Sequence, residues 1–190
     1  LMVSQNYRYR EAPRTIRSLI ERGTLGTVGY AQVSFHKAPK FPGSFRLKMK
    51  YPLLVDMSIH HFDLMRYILG VNPLSVSCVS FRPRWSWFKH QPTCQARFEM
   101  SKGLVVDYLA SWVSEGAETS WDGDWRIQGD KGCLLWSQGM FRVAGPGEEP
   151  HLVTVAPLPR HDRGMCLLEF HRAVAEGRAL SDVIKRTGRV

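Results

Sequence analysis

The sequence predicts an α+β fold: one large, mostly antiparallel open sheet with helices packed on one face. Two observations carry this expectation. From residue 74 to about 155 the chain is a series of short apolar segments. Turn signals separate them, at Arg82-Pro83, Ser101-Lys102-Gly103, Gly129-Asp130-Lys131-Gly132 and Gly145-Pro146-Gly147. Helical patterns lie outside that run and do not alternate with its strands. Consecutive strands joined by tight turns form an antiparallel meander.

Residues 1–9 alternate loosely and read as a strand. Residues 11–22 form an amphipathic helix, with Ile16, Leu19 and Ile20 at helical spacing and Gly23 as its stop. Residues 28–36 are a strand, with Tyr30, Gln32 and Ser34 on one face and Ala31, Val33 and Phe35 on the other. Residues 38–50 hold two prolines and a glycine and make a long loop, a length that is usually functional. The meander strands fall at 74–81, 93–100, 104–113, 119–128, 132–136 and 140–143. A last helix spans 161–176, with Cys166, Leu167, Phe170 and Val174 inward. Trp112, Trp121, Trp125, Trp136 and Phe98 place much aromatic surface on the strands. A sheet face that aromatic, if open, predicts a homo-oligomer joined sheet to sheet.

The central element is the helix of residues 52–70. Pro52 suits its first turn and Gly70 its C-terminal stop. Val55, Ile59, Phe62, Met65 and Leu69 make one apolar strip, and Met57, Leu64 and Ile68 a second. Between them runs a polar line of Asp56, His60, Asp63 and Tyr67. Ionisable groups between two apolar strips predict a helix buried nearly all round, where such groups must be paired or used. Asp56 and His60, one turn apart, can pair. That would raise the imidazole pKa and orient the ring for proton transfer. A satisfied structural ion pair and a metal site are alternative readings of the same residues. No CxxC, HxH or HExxH spacing supports the metal.

Composition narrows the classes. The chain is 44% hydrophobic and 23% charged, enough for one domain with a core. There is no run of about eighteen apolar residues and no charged-then-apolar leader, so neither a membrane span nor a membrane partner is expected. Four scattered cysteines predict reduced, packed thiols and a cytoplasmic protein. The net charge of +9 raises nucleic acid as a partner, but the basic residues are dispersed and match no nucleic-acid-binding pattern. The Lys37–Lys50 basic cluster leads into the central helix and could hold an anionic or polyhydroxylated ligand. Gly23, Gly26 and Gly29 precede a strand instead of following one, which is wrong for a dinucleotide-binding turn.

Asn6-Tyr7-Arg8-Tyr9, the helix ending Gly23-Thr24-Leu25-Gly26, then Asp56-x3-His60-x2-Asp63 and Leu69-Gly70 resemble, in this order, the second domain of the glucose–fructose oxidoreductase/inositol dehydrogenase (Gfo/Idh/MocA) family. The resemblance runs from Leu1 to about Gly177. It implies that residues 1–190 are a single C-terminal α+β domain, whose open sheet forms oligomer contacts. An N-terminal Rossmann domain holding NAD or NADP would belong to the longer protein. It further implies that His60 is the acid/base on a sugar hydroxyl and that Asp56 orients it or binds the neighbouring hydroxyl. Asp63 would serve structure, and His36 and Lys37 would contact a sugar or polyol substrate. No metal is implied. A non-catalytic sugar-binding or dimerisation scaffold of the same fold is the alternative. Tyr51-Pro52-Leu53-Leu54 and Ser58 depart from the family's glycines around the Asp. The ending Val183-Ile184-Lys185-Arg186 stops before its last helix.

Overall fold

The computed structural model describes residues 4–178, which form one eight-stranded sheet with its helices on one face. The strands are β1 (Val28–His36), β2 (Pro73–Phe81), β3 (Thr93–Met100), β4 (Val105–Ser111), β5 (Asp124–Gly129), β6 (Gly132–Ser137), β7 (Met140–Ala144) and β8 (His151–Leu152). Their spatial order is β2-β3-β4-β1-β5-β6-β7-β8. Every neighbouring pair is antiparallel except β1 and β4, which run parallel with Val33 beside Tyr108 and His36 beside Ser111. The meander is therefore split, and the first strand occupies its centre. Ala31, Val33 and Phe35 are all buried, and a central strand is where a face that apolar can be fully covered.

The helices are α1 (Glu11–Glu21), α2 (Ile59–Leu69) and α3 (Arg163–Ala175). A π-helical turn, Leu53–Ser58, runs directly into α2. Gly70 ends α2 in the left-handed conformation (φ 65°), and its N–H bonds the Arg66 carbonyl at 3.1 Å. Ile16 and Leu19 of α1, and Leu64, Met65 and Ile68 of α2, share one core with Phe35, Phe98 and Tyr108 of the sheet.

Several expectations need correction. Residues 4–9 are not a strand. Asn6–Tyr9 is a 3-10 turn, and residues 1–3 lie outside the described residues. The reason is visible in three consecutive buried side chains. Tyr7 enters the main core, Arg8 meets Asp63 on α2, and Tyr9 joins Met165 and Cys166 on α3. A strand would have turned alternate residues away. The strand expected from residue 119 begins at Asp124, because residues 119–123 form a tied loop. On α3 only Cys166 of the four expected inward residues is buried; Leu167, Phe170 and Val174 are exposed, and Met165 and Ala173 face inward instead. Of the thiols, Cys94 and Cys166 are packed, while Cys78 is exposed. Residues 183–186 lie outside the described residues.

The largest correction concerns the open face. Phe98, Trp112, Trp125 and Trp136 are buried, and Trp125 stacks on Trp136 with centroids 5.8 Å apart. They point to the helix side. The opposite face is a shallow trough of about 950 Å³ in which Arg97, Asp107, Asp124, Arg126 and Arg142 stand among apolar groups that include Val79 and Leu109. The aromatic residues therefore give no reason for sheet-to-sheet association.

Asp63 and Arg8 form a buried two-armed ion pair, with Arg8 Nε donating to Asp63 Oδ2 at 2.7 Å and Nη2 to Oδ1. Asp63→Ala would strip the buried guanidinium of its carboxylate. Chemical denaturation should show a loss of about 3–5 kcal/mol.

Candidate active site

The central helix is not buried all round. Val55 and Ile59 are exposed, and His60 and Asp56 are half-buried. The inward side is the second strip, Met57, Leu64 and Ile68, together with Met65 and Leu69 of the first, and His61 lies on it. The π-helical turn explains the mismatch. Its i→i+5 bonding holds an extra residue, so a constant 100° step carried from Asp56 into α2 loses phase. Tyr51, just before the turn, has φ 49°, a left-handed value that non-glycine residues seldom adopt.

Asp56 and His60 do not pair. Arg46, on the 3-10 turn Phe45–Lys48 of the long loop, grips both Asp56 oxygens, Nε to Oδ2 at 2.7 Å and Nη2 to Oδ1 at 3.1 Å. A guanidinium fork of this kind outcompetes an imidazole for a carboxylate. His60 instead has Gln5 as its partner, with Nδ1 3.0 Å from Gln5 Oε1. A carbonyl oxygen can only accept, so Nδ1 carries the proton and Nε2 keeps its lone pair. The ring stacks on Tyr7 at 4.6 Å and 12°. Gln5 thus does the orienting work expected of Asp56. The signal for it in the sequence was only its nearness to Asn6-Tyr7-Arg8-Tyr9.

Arg10 completes this cluster. Its guanidinium lies 3.4 Å from the centroid of the Tyr7 ring, pairs with Asp122, and reaches Asp162 at 3.4 Å. The His60 pKa is lowered, not raised as the expected Asp56 pairing implied. Burial is the main cause, the Arg10 charge adds to it, and Asp56, Asp63 and Asp162 oppose it. A neutral imidazole with an unengaged Nε2 is the form that accepts a proton.

His61, which the sequence reading passed over, is fully buried. Its Nε2 lies 3.0 Å from the Trp121 carbonyl oxygen and its Nδ1 2.8 Å from the Tyr108 hydroxyl, which is also 2.9 Å from Ser58 Oγ. Nε2–H donates to the carbonyl, so Nδ1 accepts from the Tyr108 O–H. Burial pushes its pKa down to about 4. Its spacing of four from Met57, three from Leu64 and seven from Ile68 would have placed it on the core stripe.

His36 and Lys37 sit where β1 ends. His36 Nδ1 is 3.3 Å from Ser114 Oγ, and its backbone is paired with Thr119. Lys37 Nζ donates to Glu118 at 3.0 Å and lies 5.5 Å from the centre of the Trp121 ring. Trp121 thus connects Lys37 to His61, while Asp122 connects the same loop to Arg10 and Tyr7. Asp56 stands apart on Arg46. Among the described residues no group of three or more His, Cys, Asp or Glu could hold a metal ion, and no helix is long and apolar enough to cross a membrane.

Residues 14–135 match the family model described as the GFO/IDH/MocA C-terminal domain. The chain belongs to the Gfo/Idh/MocA family. It is similar to D-apiose dehydrogenase of Rhizobium rhizogenes, with 24% identity over 173 residues, 85% of this chain and 49% of that protein. The aldose-aldose oxidoreductase of Caulobacter crescentus, solved with glycerol, superposes with a TM-score of 0.81 at 18% identity, over 95% of this chain and 55% of that one. The inositol dehydrogenase homolog of Azotobacter vinelandii, solved with NADH and myo-inositol, superposes with a TM-score of 0.69 at 17% identity, covering 87% and 45%. The chain spans less than half the length of the curated relatives it matches.

The glycine stretch of residues 23–29 does not fit a dinucleotide. The glycines at 23, 26 and 29 lead into β1, and the space beside Gly26 is taken by the Asp130 carboxylate, whose charge would repel a pyrophosphate.

His61 has a pH consequence. Its folded pKa, about 4, lies below the ordinary 6.5. The unfolded chain therefore takes up a proton first as pH falls. Stability from this group is full above pH 6.5 and is lost between there and about 4, by roughly 3 kcal/mol in all. Urea denaturation across that range should show the decline, and His61→Gln, which keeps polar groups without titrating, should flatten it.

Proposed function

We propose that this chain is the substrate-binding and oligomerisation domain of an NAD(P)-dependent oxidoreductase. The reaction moves hydride between the nicotinamide and a sugar, cyclitol or sugar derivative. Residues 1–190 then act as a single C-terminal domain of a longer cytoplasmic protein whose dinucleotide site lies on a separate domain. The observation that carries the reading is the His60 ring. It is stacked on Tyr7, held as the Nδ1–H tautomer by Gln5, and its Nε2 has no bond among the described residues. Family membership and relatives that include a D-apiose dehydrogenase support the substrate class. The neighbour solved with NADH supports the cofactor class.

The step assigned to this chain is a proton transfer. Oxidising a carbinol leaves a protonated carbonyl unless a base removes the hydroxyl proton. His60 Nε2 takes that proton in oxidation and returns it in reduction. Burial and Arg10 lower the ring's pKa, which keeps it neutral near pH 7. Asp56, fixed by Arg46, presents a carboxylate that can bind a neighbouring hydroxyl without contacting His60. His36 and Lys37 bound the site at the end of β1.

One observation favours the alternative, a non-catalytic sugar-binding or dimerisation scaffold: the carboxylate that the family motif places with the base is held away by Arg46. Kinetics on the full-length protein separate the two. His60→Ala should lower kcat by about 10²- to 10⁴-fold on a polyol panel. Failure of the full-length protein to bind NAD or NADP would reject the enzyme. In Arg10→Gln the acidic limb of the pH–rate profile should move to higher pH, because a charge that lowers the His60 pKa is gone.

The oligomer is proposed through the open sheet face. Across the strands Arg97, Asp107, Gln32 and Arg126 lie in register, and a two-fold axis between the first two would set each copy's Asp107 against the other's Arg97. Light scattering should give a dimer or larger, and Asp107→Arg should shift it toward monomer.

A further inference from the structure

The loop between β4 and β5 is unusually well tied where it passes the site. Thr119 N–H bonds the His36 carbonyl at 3.0 Å, and Asp122 N–H bonds Ser120 Oγ at 3.3 Å. Gly123 N–H bonds the Ser120 carbonyl, and Trp125 Nε1 donates to the Asp122 carbonyl at 2.7 Å. The Asp122 carboxylate holds Arg10, and the buried His61 holds the Trp121 carbonyl. Gly123 has φ 78°, and a Cβ there would come within 2.8 Å of the Ser34 carbonyl oxygen, so the turn has no slack. Backbone fixed this thoroughly nonetheless leaves Trp121 45% exposed.

The other tryptophans differ. Trp112, Trp125 and Trp136 are core residues. Trp85 and Trp87 donate their N–H groups to the Val113 and Pro39 carbonyls. Trp121 alone combines an exposed ring, an N–H with no bond among the described residues, and a backbone held by the residue adjoining His60. Its ring centre is 6.0 Å from that of Phe35, which is tilted against it, and the ammonium of Lys37, paired with Glu118, stands over it at 5.5 Å from the centroid.

We infer that Trp121 is a stacking platform for the ring of a cyclic sugar or cyclitol. An aromatic face is electron-rich. It complements the side of a saturated sugar ring that carries polarised C–H bonds and few hydroxyls. The hydroxyls then face Lys37, which supplies donors, Glu118, which supplies acceptors, and the indole N–H, one further donor. An acyclic polyol has no flat C–H face and gains little from the platform. His61 is the positioning residue: it fixes the Trp121 carbonyl, and hence the angle at which the indole is offered. Preorganisation of this kind lowers the entropy lost on binding.

The inference deepens the proposed function and rests on its sugar-binding part, not on the acid/base role of His60. The test uses the full-length protein with its nicotinamide cofactor, in wild-type form and as Trp121→Phe and Trp121→Ala. Turnover of cyclic sugars and cyclitols is compared with turnover of acyclic polyols. Trp121→Ala should raise KM for the cyclic compounds by about tenfold or more, with kcat and the acyclic KM within about threefold. Trp121→Phe should recover most of the loss. A cyclic KM within about threefold of wild type in Trp121→Ala, or an equal rise for both classes, overturns the proposal. Thermal melts identify a variant that fails to fold, in which case Trp121→Phe decides by a smaller rise confined to cyclic substrates. If the full-length protein turns over nothing, the catalytic reading falls. The stacking proposal is then judged by saturation-transfer NMR with the same sugars: ring C–H signals in wild type that vanish in Trp121→Ala support it, and their absence in wild type overturns it.

Discussion

The two nitrogens of one buried imidazole join three parts of the chain that are far apart in sequence. His61 sits on α2. It meets Tyr108 on the central strand β4 through one nitrogen and the carbonyl of Trp121, in the β4–β5 loop, through the other. Neither contact can be replaced by water, because the ring is fully enclosed. The loop therefore cannot drift from the helix without leaving a polar group unsatisfied in the core. From that fixed loop, Asp122 reaches Arg10, Arg10 lies on Tyr7, and Tyr7 lies on His60. The position of the half-exposed histidine is set by its fully buried neighbour.

The sheet topology provides the frame for this arrangement. Inserting β1 beside β4 in parallel brings the ends of both strands, His36 and Ser111, to the same edge. The segments leaving that edge, residues 37–50 and 112–123, are pinned together by Lys37–Glu118 and Lys40–Glu115. An antiparallel centre would have sent them to opposite ends of the sheet. The parallel pair is thus what gathers the long basic loop, the Trp121 loop and the start of α2 into one region.

Much of the fold was legible in the sequence. β1 and β3 were bounded to the residue, because strict apolar alternation and clear turn signals leave little freedom. The helix of the site was legible for the same reason. Its orientation was not. A uniform helical step cannot anticipate a π-helical turn, and so Val55, within it, was assigned inward when it is exposed. The type and spacing of His60 were plain in the sequence, but its partner was not, because Gln5 is 55 residues away. The aromatic strands were read as one open face. In fact the tryptophans share the helix side, a matter of register that only the pairing of β5 with β6 decides.

The wide turn at Leu53–Ser58 makes chain length, as much as chemistry, a determinant of the site. It accommodates one residue more than an α-helix needs for the same advance. Excising a single residue there would let the turn close as ordinary α-helix, and the side chains within the turn would move to new places on its surface. Asp56 would then leave its guanidinium and face a different neighbour, with no polar side chain exchanged. A one-residue indel there would thus re-aim Asp56 without any substitution, and would disturb the buried Leu53 or Met57 of the same turn as it did so.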